Sequence, residues 1–328
     1  MKKFKINLKS KSIVAINLFL ILILMTVSVY AWFASQVNNT VDAYDIQVEA
    51  NESLELSFDE ITWNGTLNLA DLKSGDDSVL DTMKFVEVTS DGTTFRIPQL
   101  TQKTNYAVVN TSAGFNTATA NKDYLEFTVN MRSKEKLKVY LSSDSMAAPV
   151  STVVTGANCG NPSTYASGAN AFSKDCIVGA LRVGYANNSG TKYIWITNPE
   201  YHLNNKVGSA DYSMTVNASA TYADGTNPIT EGEDFYWNNP KAHYYYDGTT
   251  LTKKATSGVL SSLPDSVTTA PTATSTLVAR LEGTADANGY YTDSVTFRVW
   301  IEGCDTEARR ALVDGKFNLS LVFDTFGI

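Results

Sequence analysis

Hydrophobic and polar residues alternate with a period of two along much of this chain. Tyr124–Ser133, "YLEFTVNMRS", has an apolar side chain at every second position and polar ones between. The alternation returns near the C-terminus in "SVTFRVWIEG" and "KFNLSLVFD". Because successive side chains of a strand point to opposite faces, this pattern predicts strands with one buried and one wet face.

Short turn sequences between these segments predict hairpins. Asp91-Gly92, Asn187–Gly190, Asp247-Gly248 and Asn288-Gly289 each lie between two strand-like segments. "YLEFTVNMRS" and "KLKVYLS" are expected to pair with each other across Ser133–Glu135.

One helix is predicted between the last two strands. Asp305 is a candidate cap, Arg309 and Arg310 lie toward the C-terminal end, and Gly315 is a candidate terminator. The remaining segments occur at hairpin spacing. The predicted fold is therefore all-β, an antiparallel β-sandwich of jelly-roll type with one short C-terminal helix, preceded by an N-terminal hydrophobic helix.

Three long loops are expected within a sandwich domain that spans residues 45–328. They cover residues 146–173, 218–232 and 261–275. The last, "SSLPDSVTTAPTATS", could separate two domains. We interpret it as a surface excursion, because the strands that follow it would make a poor domain alone.

The N-terminus has the pattern of an export segment. Five lysines precede nineteen uncharged residues, 13–31. A basic head before an apolar stretch is typical of a signal peptide, but this stretch is also long enough to span a bilayer. Val29 and Ala31 stand where a signal peptidase would require small residues, so cleavage between Ala31 and Trp32 is favoured over a retained membrane anchor. Either outcome predicts an extracellular, cell-surface protein.

Charge and composition agree with export. Without the five leading lysines, 21 basic residues face 34 acidic ones, a formal charge of −13. An acidic surface of this size argues against a nucleic-acid partner.

Three cysteines are present. Cys159 and Cys176 enclose sixteen residues, and in an oxidising compartment a disulfide between them is the expected arrangement. Cys304 is then left over, either as a buried thiol or as a link to another molecule, and burial is favoured.

No arrangement of residues predicts catalysis, a cofactor or a metal. His202 and His243 have no second ligand at a suitable spacing and are interpreted as surface or loop residues. A nucleophile elbow and a phosphate-binding loop are both missing. Asp286–Asp293 has oxygen ligands around a glycine, but its spacing departs from a calcium loop and a turn is favoured. The chain is not expected to be an enzyme.

The densest aromatic stretch is "FYWNNPKAHYYYDG". Its candidate ligand-binding aromatics are Tyr236, Trp237, Tyr244 and Tyr246. Aromatic faces offer large contact areas to a glycan or protein. Cross-strand packing at a sheet edge explains the same residues and is favoured.

Three segments together resemble a known group. The start "YAWFASQVNNTVDAYDIQVEA" (Tyr30–Ala50) resembles precursors of the TasA and camelysin type, which are processed by SipW-type signal peptidases. With "LELSFDEITW" (Leu54–Trp63), "YLEFTVNMRS" and "FRVWIEGCDTEARRAL" (Phe297–Leu312), the chain resembles more closely a group of uncharacterised Firmicutes surface proteins.

The resemblance implies an extracellular β-sandwich without established catalysis and a mode of assembly. In fibres of the TasA type, the mature N-terminus completes the sheet of a neighbouring subunit. Residues 32–44 would be the donor strand here, with Trp32, Phe33 and Val37 as apolar anchors. The expected function is a structural subunit of a filament or biofilm-type matrix, with copies of itself as partner. The alternative is an anchored adhesin that recognises glycan or protein.

Overall fold

The period-two segments form strands that bury one face. Along Leu125–Ser133 every second residue, beginning with Leu125, is buried, and the residues between are half-buried. On Lys316–Gly327 the alternating residues Phe317, Leu319, Leu321 and Phe323 are buried in the same way. The alternation predicts these strands correctly because each has one face against the core.

The structure is a computed structural model. It describes residues 42–50, 53–74, 77–78, 83, 85–98, 100–102, 107–109, 115–149, 177–187, 190, 192–197, 243–247, 251–254, 256–263, 276–303 and 316–328. All of them belong to one compact unit, Thr40–Ile328.

Strands dominate the described residues. In chain order they are β1 (Asp42–Ala50), β2 (Glu55–Ser57), β3 (Thr66–Asn68), β4 (Lys73–Ser74), β5 (Asp77–Ser78), β6 (Glu87–Ser90), β7 (Phe95–Pro98), β8 (Leu100–Gln102), β9 (Ala107–Val109), β10 (Phe115–Thr117), β11 (Leu125–Ser133), β12 (Leu137–Leu141), β13 (Met146–Pro149), β14 (Leu181–Asn187), β15 (Lys192–Ile196), β16 (Tyr244–Tyr246), β17 (Leu251–Lys253), β18 (Val259–Leu260), β19 (Leu277–Leu281), β20 (Tyr291–Glu302) and β21 (Lys316–Gly327). One short helix, α1 (Ile177–Ala180), and 3₁₀ turns at Leu69–Asp71 and Thr256–Gly258 accompany them.

Two large sheets contain most of these strands. The first has six strands in the order β19-β12-β21-β1-β3, with β13 also paired to β21. The second has nine, in the order β10-β7-β6-β20-β14-β15-β18, with β11 paired to both β20 and β2. The pairs β4-β5, β8-β9 and β16-β17 form separate two-stranded ribbons.

The two large sheets enclose a common core. Phe323 of β21 lies against Phe297 of β20, with ring centroids 6.0 Å apart, and Phe297 also stacks on Phe127 of β11 at 5.6 Å. Ile46 and Val48 of β1 contribute to the same cluster and are fully buried. The described fold is therefore mostly β, with two sheets packed as layers, as in a β-sandwich.

Both sheets are mixed, which corrects the purely antiparallel prediction. β1 runs parallel to β21, β6 parallel to β20, and β18 parallel to β15. The members of each parallel pair are far apart in the chain, so no hairpin turn sets their relative direction. Local sequence patterns predict hairpins only, and these have antiparallel strands.

The predicted hairpin of β11 with β12 is wrong. β11 pairs with β2 and β20 in the nine-stranded sheet, whereas β12 pairs with β19 and β21 in the six-stranded sheet. The intervening residues Lys134–Lys136 thus carry the chain from one layer to the other. A short polar connection has the same composition in either role, so the sequence could not distinguish them.

Other predicted turns are confirmed. β6 pairs with β7 around Asp91-Gly92, where Gly92 has φ +86°. β14 pairs with β15, and the Gly190 N–H donates to the Asn187 carbonyl. β16 pairs with β17 across the Asp247-Gly248 position. Asn288-Gly289 is also a tight turn, with Gly289 at φ +82°, but the strands on either side of it, β19 and β20, belong to different sheets.

Some predicted elements lie outside the described residues. These are the helix at 305–315, the hydrophobic segment 13–31, the loop 218–232 and most of the loops 146–173 and 261–275. The first residues of the predicted loop 146–173 form β13, and β1 begins at Asp42, inside the predicted extended segment. Strands β19–β21, which follow 261–275, pair with strands that precede it.

Candidate functional site

The segment "RVWIEG" ends β20 and buries both of its faces. Val299 and Ile301 point into the main core, whereas Trp300 lies in a second cluster on the opposite face of the nine-stranded sheet. There Phe95 and Trp300 form a T-shaped pair with ring centroids 5.3 Å apart, and Phe95 stacks on Tyr124 at 4.1 Å. This second cluster explains why the alternation of burial stops at the end of β20.

Glu302 is a fully buried carboxylate beside this aromatic cluster. Its Oε2 accepts a 3.0 Å hydrogen bond from the Trp300 indole N–H and a 3.4 Å bond from the Ser90 backbone N–H. Residues two apart on a strand share a face, which brings Trp300 and Glu302 together. A buried carboxylate requires such donors, because desolvation is otherwise costly.

His243 covers this carboxylate and is fully buried, so the prediction of a surface position is wrong, although the residue does lie in a connecting segment just before β16. Its Nε2 lies 2.6 Å from the Ser90 carbonyl oxygen and 3.9 Å from Glu302. Burial lowers the pKa of His243 to about 3, and repulsion from the nearby Arg182 cation is the second cause of this decrease. The imidazole is therefore neutral, and Nε2 donates to the Ser90 carbonyl.

These contacts attach the β16-β17 ribbon to the nine-stranded sheet. His243 directly precedes β16, and its ring stacks on Tyr245 of that strand with centroids 5.9 Å apart. Lys254, just after β17, donates its backbone N–H to the His243 carbonyl. Because Trp300, Glu302 and His243 are all fully buried, the arrangement stabilises the fold and offers no open site for a substrate.

A different candidate site is exposed at the loop Phe58–Asn64, named the Trp63 loop below. The Asp59 carboxylate accepts hydrogen bonds from the backbone N–H groups of Ile61 and Thr62 at 2.9 and 2.8 Å, and from the Ser57 hydroxyl at 2.9 Å. These donors lower the pKa of Asp59 to about 2, and the Thr62 N–H makes the largest contribution. Ser57 Oγ in turn accepts the Glu60 N–H at 2.9 Å. The loop is thus held in one conformation by its own polar groups.

Within this loop Glu60 has φ +61°, a left-handed conformation that is unfavourable for a residue with a side chain. Its carbonyl accepts a 3.1 Å hydrogen bond from the Trp63 indole N–H, which orients the ring. Ile61 at the tip is 82% exposed. A strained residue beside an exposed apolar tip is typical of segments under functional constraint.

A stack of three side chains supports Trp63. The Arg132 guanidinium lies between the Trp63 and Tyr290 rings, 4.3 Å from the centroid of each. Arg132 Nε also bonds Glu55 Oε2 at 2.5 Å. Arg132 belongs to β11, and Tyr290 directly precedes β20, the strand that pairs with β11. Through Arg132, the Trp63 ring is therefore linked to β11 and to the residue that precedes β20.

Two clefts flank the Trp63 loop. The first, here the Trp63 cleft, has a volume of about 300 Å³ and is lined by Glu60, Trp63, Asn130, Met131 and Thr292–Ser294. The second, here the β3 cleft, has a volume of about 380 Å³ and is lined by Phe58, Asp59, Thr62, Asn64, Thr66, Leu67 and Leu72. Both are of the size that binds small ligands or single side chains.

No local pattern in the sequence predicts the Trp63 cleft as a site. The cleft draws on two of the segments that carry the family resemblance, "LELSFDEITW" and "YLEFTVNMRS", but their spatial proximity depends on the pairing of β2 and β20 with β11. The only signal in the sequence was the positions of Trp63 and Arg132 at the ends of those segments.

Almost all the site residues that the sequence predicts lie outside the part of the chain that the structure describes. Ala31, Trp32, Phe33, Val37, Cys159, Cys176, Tyr236 and Trp237 lie outside the described residues. Tyr244 and Tyr246 are in β16, but their side chains are not described. The disulfide, the cleavage site and the donor strand therefore stay predictions.

Within the described ranges, no three His, Cys, Asp or Glu side chains are grouped so as to hold a metal ion. The helices in that same part of the chain are all too short or too polar to cross a membrane. Comparison with protein-family models, with curated proteins and with solved structures gives no match.

Proposed function

We propose that this chain is an exported structural protein of the cell surface that assembles with copies of itself by β-strand addition. Residues 32–41, freed by cleavage after Ala31, are the donor strand, and they lead directly into β1. An incoming strand binds through the free N–H and C=O groups of a sheet edge, while alternate side chains fill adjacent grooves.

The observation that carries this proposal is the difference between the two edges of the six-stranded sheet. At the β19 edge, side chains from the nine-stranded sheet form hydrogen bonds with backbone N–H and C=O groups of β19. The Arg280 N–H donates to Asp293 Oδ2 at 2.6 Å, and the Leu277 carbonyl accepts from Asn187 Nδ2 at 3.1 Å. Occupied backbone groups cannot pair with another chain, so this edge is protected.

The β3 edge is less protected. β3 has three residues and pairs with Gln47–Glu49 of β1. Among the described strands, the first half of β1 has a partner only on the β21 side. The β3 cleft opens next to this edge and contains the apolar side chains of Phe58, Leu67 and Leu72. The cleft therefore offers a place for the apolar donor residues Trp32, Phe33 and Val37 of a neighbouring copy.

β1 is a strong attachment point for the donor segment. It lies between β21 and β3, and Ile46 and Val48 are fully buried in the main core. A donor strand that continues from a central strand is covalently joined to the core of its own subunit, so its binding to a neighbour holds the two subunits together.

Deletion of Trp32–Asn39 tests the proposal. The shortened chain is expected to remain folded, with an unchanged circular dichroism spectrum, but to sediment as a monomer where the intact chain sediments as a polymer. Undiminished assembly after the deletion would disprove strand donation by this segment.

A pair of threonine variants tests the acceptor edge. Thr66 of β3 and Thr117 of β10 are both exposed and lie on terminal strands of the two sheets. Lysine on an edge strand opposes the addition of a further strand. Thr66→Lys is expected to reduce assembly, and the matched Thr117→Lys to leave it unchanged. Equal effects of the two would contradict addition at β3.

A further inference from the structure

The Trp63 cleft has the chemistry of a binding site that strand addition does not use. Its walls come from the Trp63 loop, from Asn130 and Met131 of β11, and from Thr292–Ser294 of β20. β11 and β20 are paired here, with Asn130 opposite Ser294 and Met131 opposite Asp293. A paired sheet therefore forms the floor, and the loop forms one wall.

Several polar groups in this cleft are available to a ligand. Neither the Asn130 amide nor the hydroxyls of Thr292 and Ser294 have a side-chain hydrogen bond within the described part of the chain, and the Glu60 carboxylate has none there either. Asp293 differs, because its two oxygens accept the backbone N–H groups of Arg280 and Ser294. Besides the engaged carboxylate of Asp293, the cleft thus offers one amide, two hydroxyls and the carboxylate of Glu60.

The charges exclude an anionic ligand. None of the residues that line the cleft is basic. Arg132, which stacks on the Trp63 ring, does not line the cleft and is already paired with Glu55. Phosphate, sulfate or a sialic acid would meet the Glu60 carboxylate without a compensating cation, and such like-charge contact is unfavourable.

The available groups favour a neutral hydroxyl-rich ligand over a basic side chain. An amide and two hydroxyls can donate and accept hydrogen bonds at once, as sugar hydroxyls do. A lysine or arginine would use only the acceptors and leave the amide N–H groups unpaired. The Trp63 indole N–H is bound to the Glu60 carbonyl, so Trp63 offers the ligand its apolar ring, which suits the C–H face of a pyranose.

The site is also formed before a ligand arrives. Trp63 is held by Arg132, which also stacks on Tyr290, and the loop conformation is held by Ser57 and Asp59. Groups that are already ordered lose little entropy on binding. We propose that the Trp63 cleft binds one ring of a neutral saccharide, with the Trp63 ring as its apolar contact and Asn130, Thr292, Ser294 and Glu60 as hydrogen-bonding partners.

An array and one pair of variants test this proposal. The full chain, purified in detergent, is applied to an array of neutral hexose and N-acetylhexosamine oligomers, sialylated and sulfated glycans, and lysine-rich peptides. Retention on neutral saccharides is expected. Asn130→Ala should weaken that retention by about fivefold to tenfold, the effect of one lost hydrogen bond. It leaves the Trp63 stack intact.

Asn318→Ala is the matched control, because Asn318 is an exposed asparagine on β21 and does not line the cleft. It should bind as the unmodified chain does. Retention only on charged glycans or on lysine-rich peptides would overturn the proposal, as would the absence of any retention. Binding that Asn130→Ala leaves unchanged, in a variant with an unaltered near-ultraviolet circular dichroism spectrum, would overturn it as well.

Discussion

The Trp300 indole donates a 3.0 Å hydrogen bond to the Glu302 carboxylate, two residues further along the same strand. Both side chains are fully buried, on the face of β20 that lies opposite the main core. This bond joins the end of β20 to β6, because Glu302 also accepts the Ser90 N–H. The "WIEG" segment is thus part of the framework of the fold.

Glu302→Gln should destabilise the protein. The amide oxygen is a weaker acceptor than the carboxylate for the Trp300 and Ser90 N–H groups, so a loss of about 1 to 3 kcal/mol in the free energy of unfolding is expected. Urea denaturation measures it. The control is Glu282→Gln, at an exposed residue paired with exposed Arg280, where a change within about 0.5 kcal/mol is expected. Equal effects would contradict the role assigned to Glu302.

His243 should make stability fall in acid. Its pKa is about 3 in the folded protein, against 6.5 for an unperturbed histidine, so the unfolded chain binds the proton first. The contribution of neutral His243 is fully present above about pH 6.5 and is lost as the pH falls toward 3. Between pH 6.5 and 4 the loss is about 2 to 3 kcal/mol.

The measurement compares the pH dependence of unfolding in the unmodified chain and in His243→Phe, which keeps a ring but cannot titrate. The variant should be less stable at pH 7 and show a smaller decrease between pH 6.5 and 4. Identical slopes for the two proteins would show that His243 is accessible to protons in the folded state.

Gly184→Ala should be destabilising because of Trp300. A Cβ at Gly184 would lie 3.0 Å from Cζ3 of that buried indole, closer than ordinary contact. Moving a packed tryptophan costs about 1 to 3 kcal/mol. Thermal unfolding is the measurement, and Gly327→Ala is its control, since a Cβ there meets nothing within 4 Å. If both substitutions are tolerated alike, the packing of Trp300 on β14 is looser than described.

Arg132→Lys should loosen the Trp63 loop. Lysine keeps the charge but loses the planar group that stacks between Trp63 and Tyr290. A loss of about 1 kcal/mol in unfolding free energy is expected, with a change in the fluorescence of Trp63. Arg280→Lys replaces an exposed arginine without such a stack and should have almost no effect. Indistinguishable results for the two would argue against the stack in solution.

The candidate sites show where prediction from sequence stops. Three segments carry the resemblance to known surface proteins: "LELSFDEITW", "YLEFTVNMRS" and "FRVWIEG". Nothing in their local sequence shows that the first two line one cleft, while the third supports a separate buried cluster. His243 carries no signal of burial in its own neighbourhood. Its environment comes from β6 and β20, which are distant in the chain.

The sequence by itself determined where many of the strands and turns lie. Alternation sets the buried face of a strand such as β11, and Asp-Gly or Asn-Gly pairs mark turns, because both effects involve residues that are neighbours in the chain. Tertiary structure decided the rest: β11 and β12 lie in opposite layers, β1 runs parallel to β21, and Glu302 lies beneath His243. These arrangements depend on which distant apolar faces are buried together, and that choice is made by the packing of the whole core.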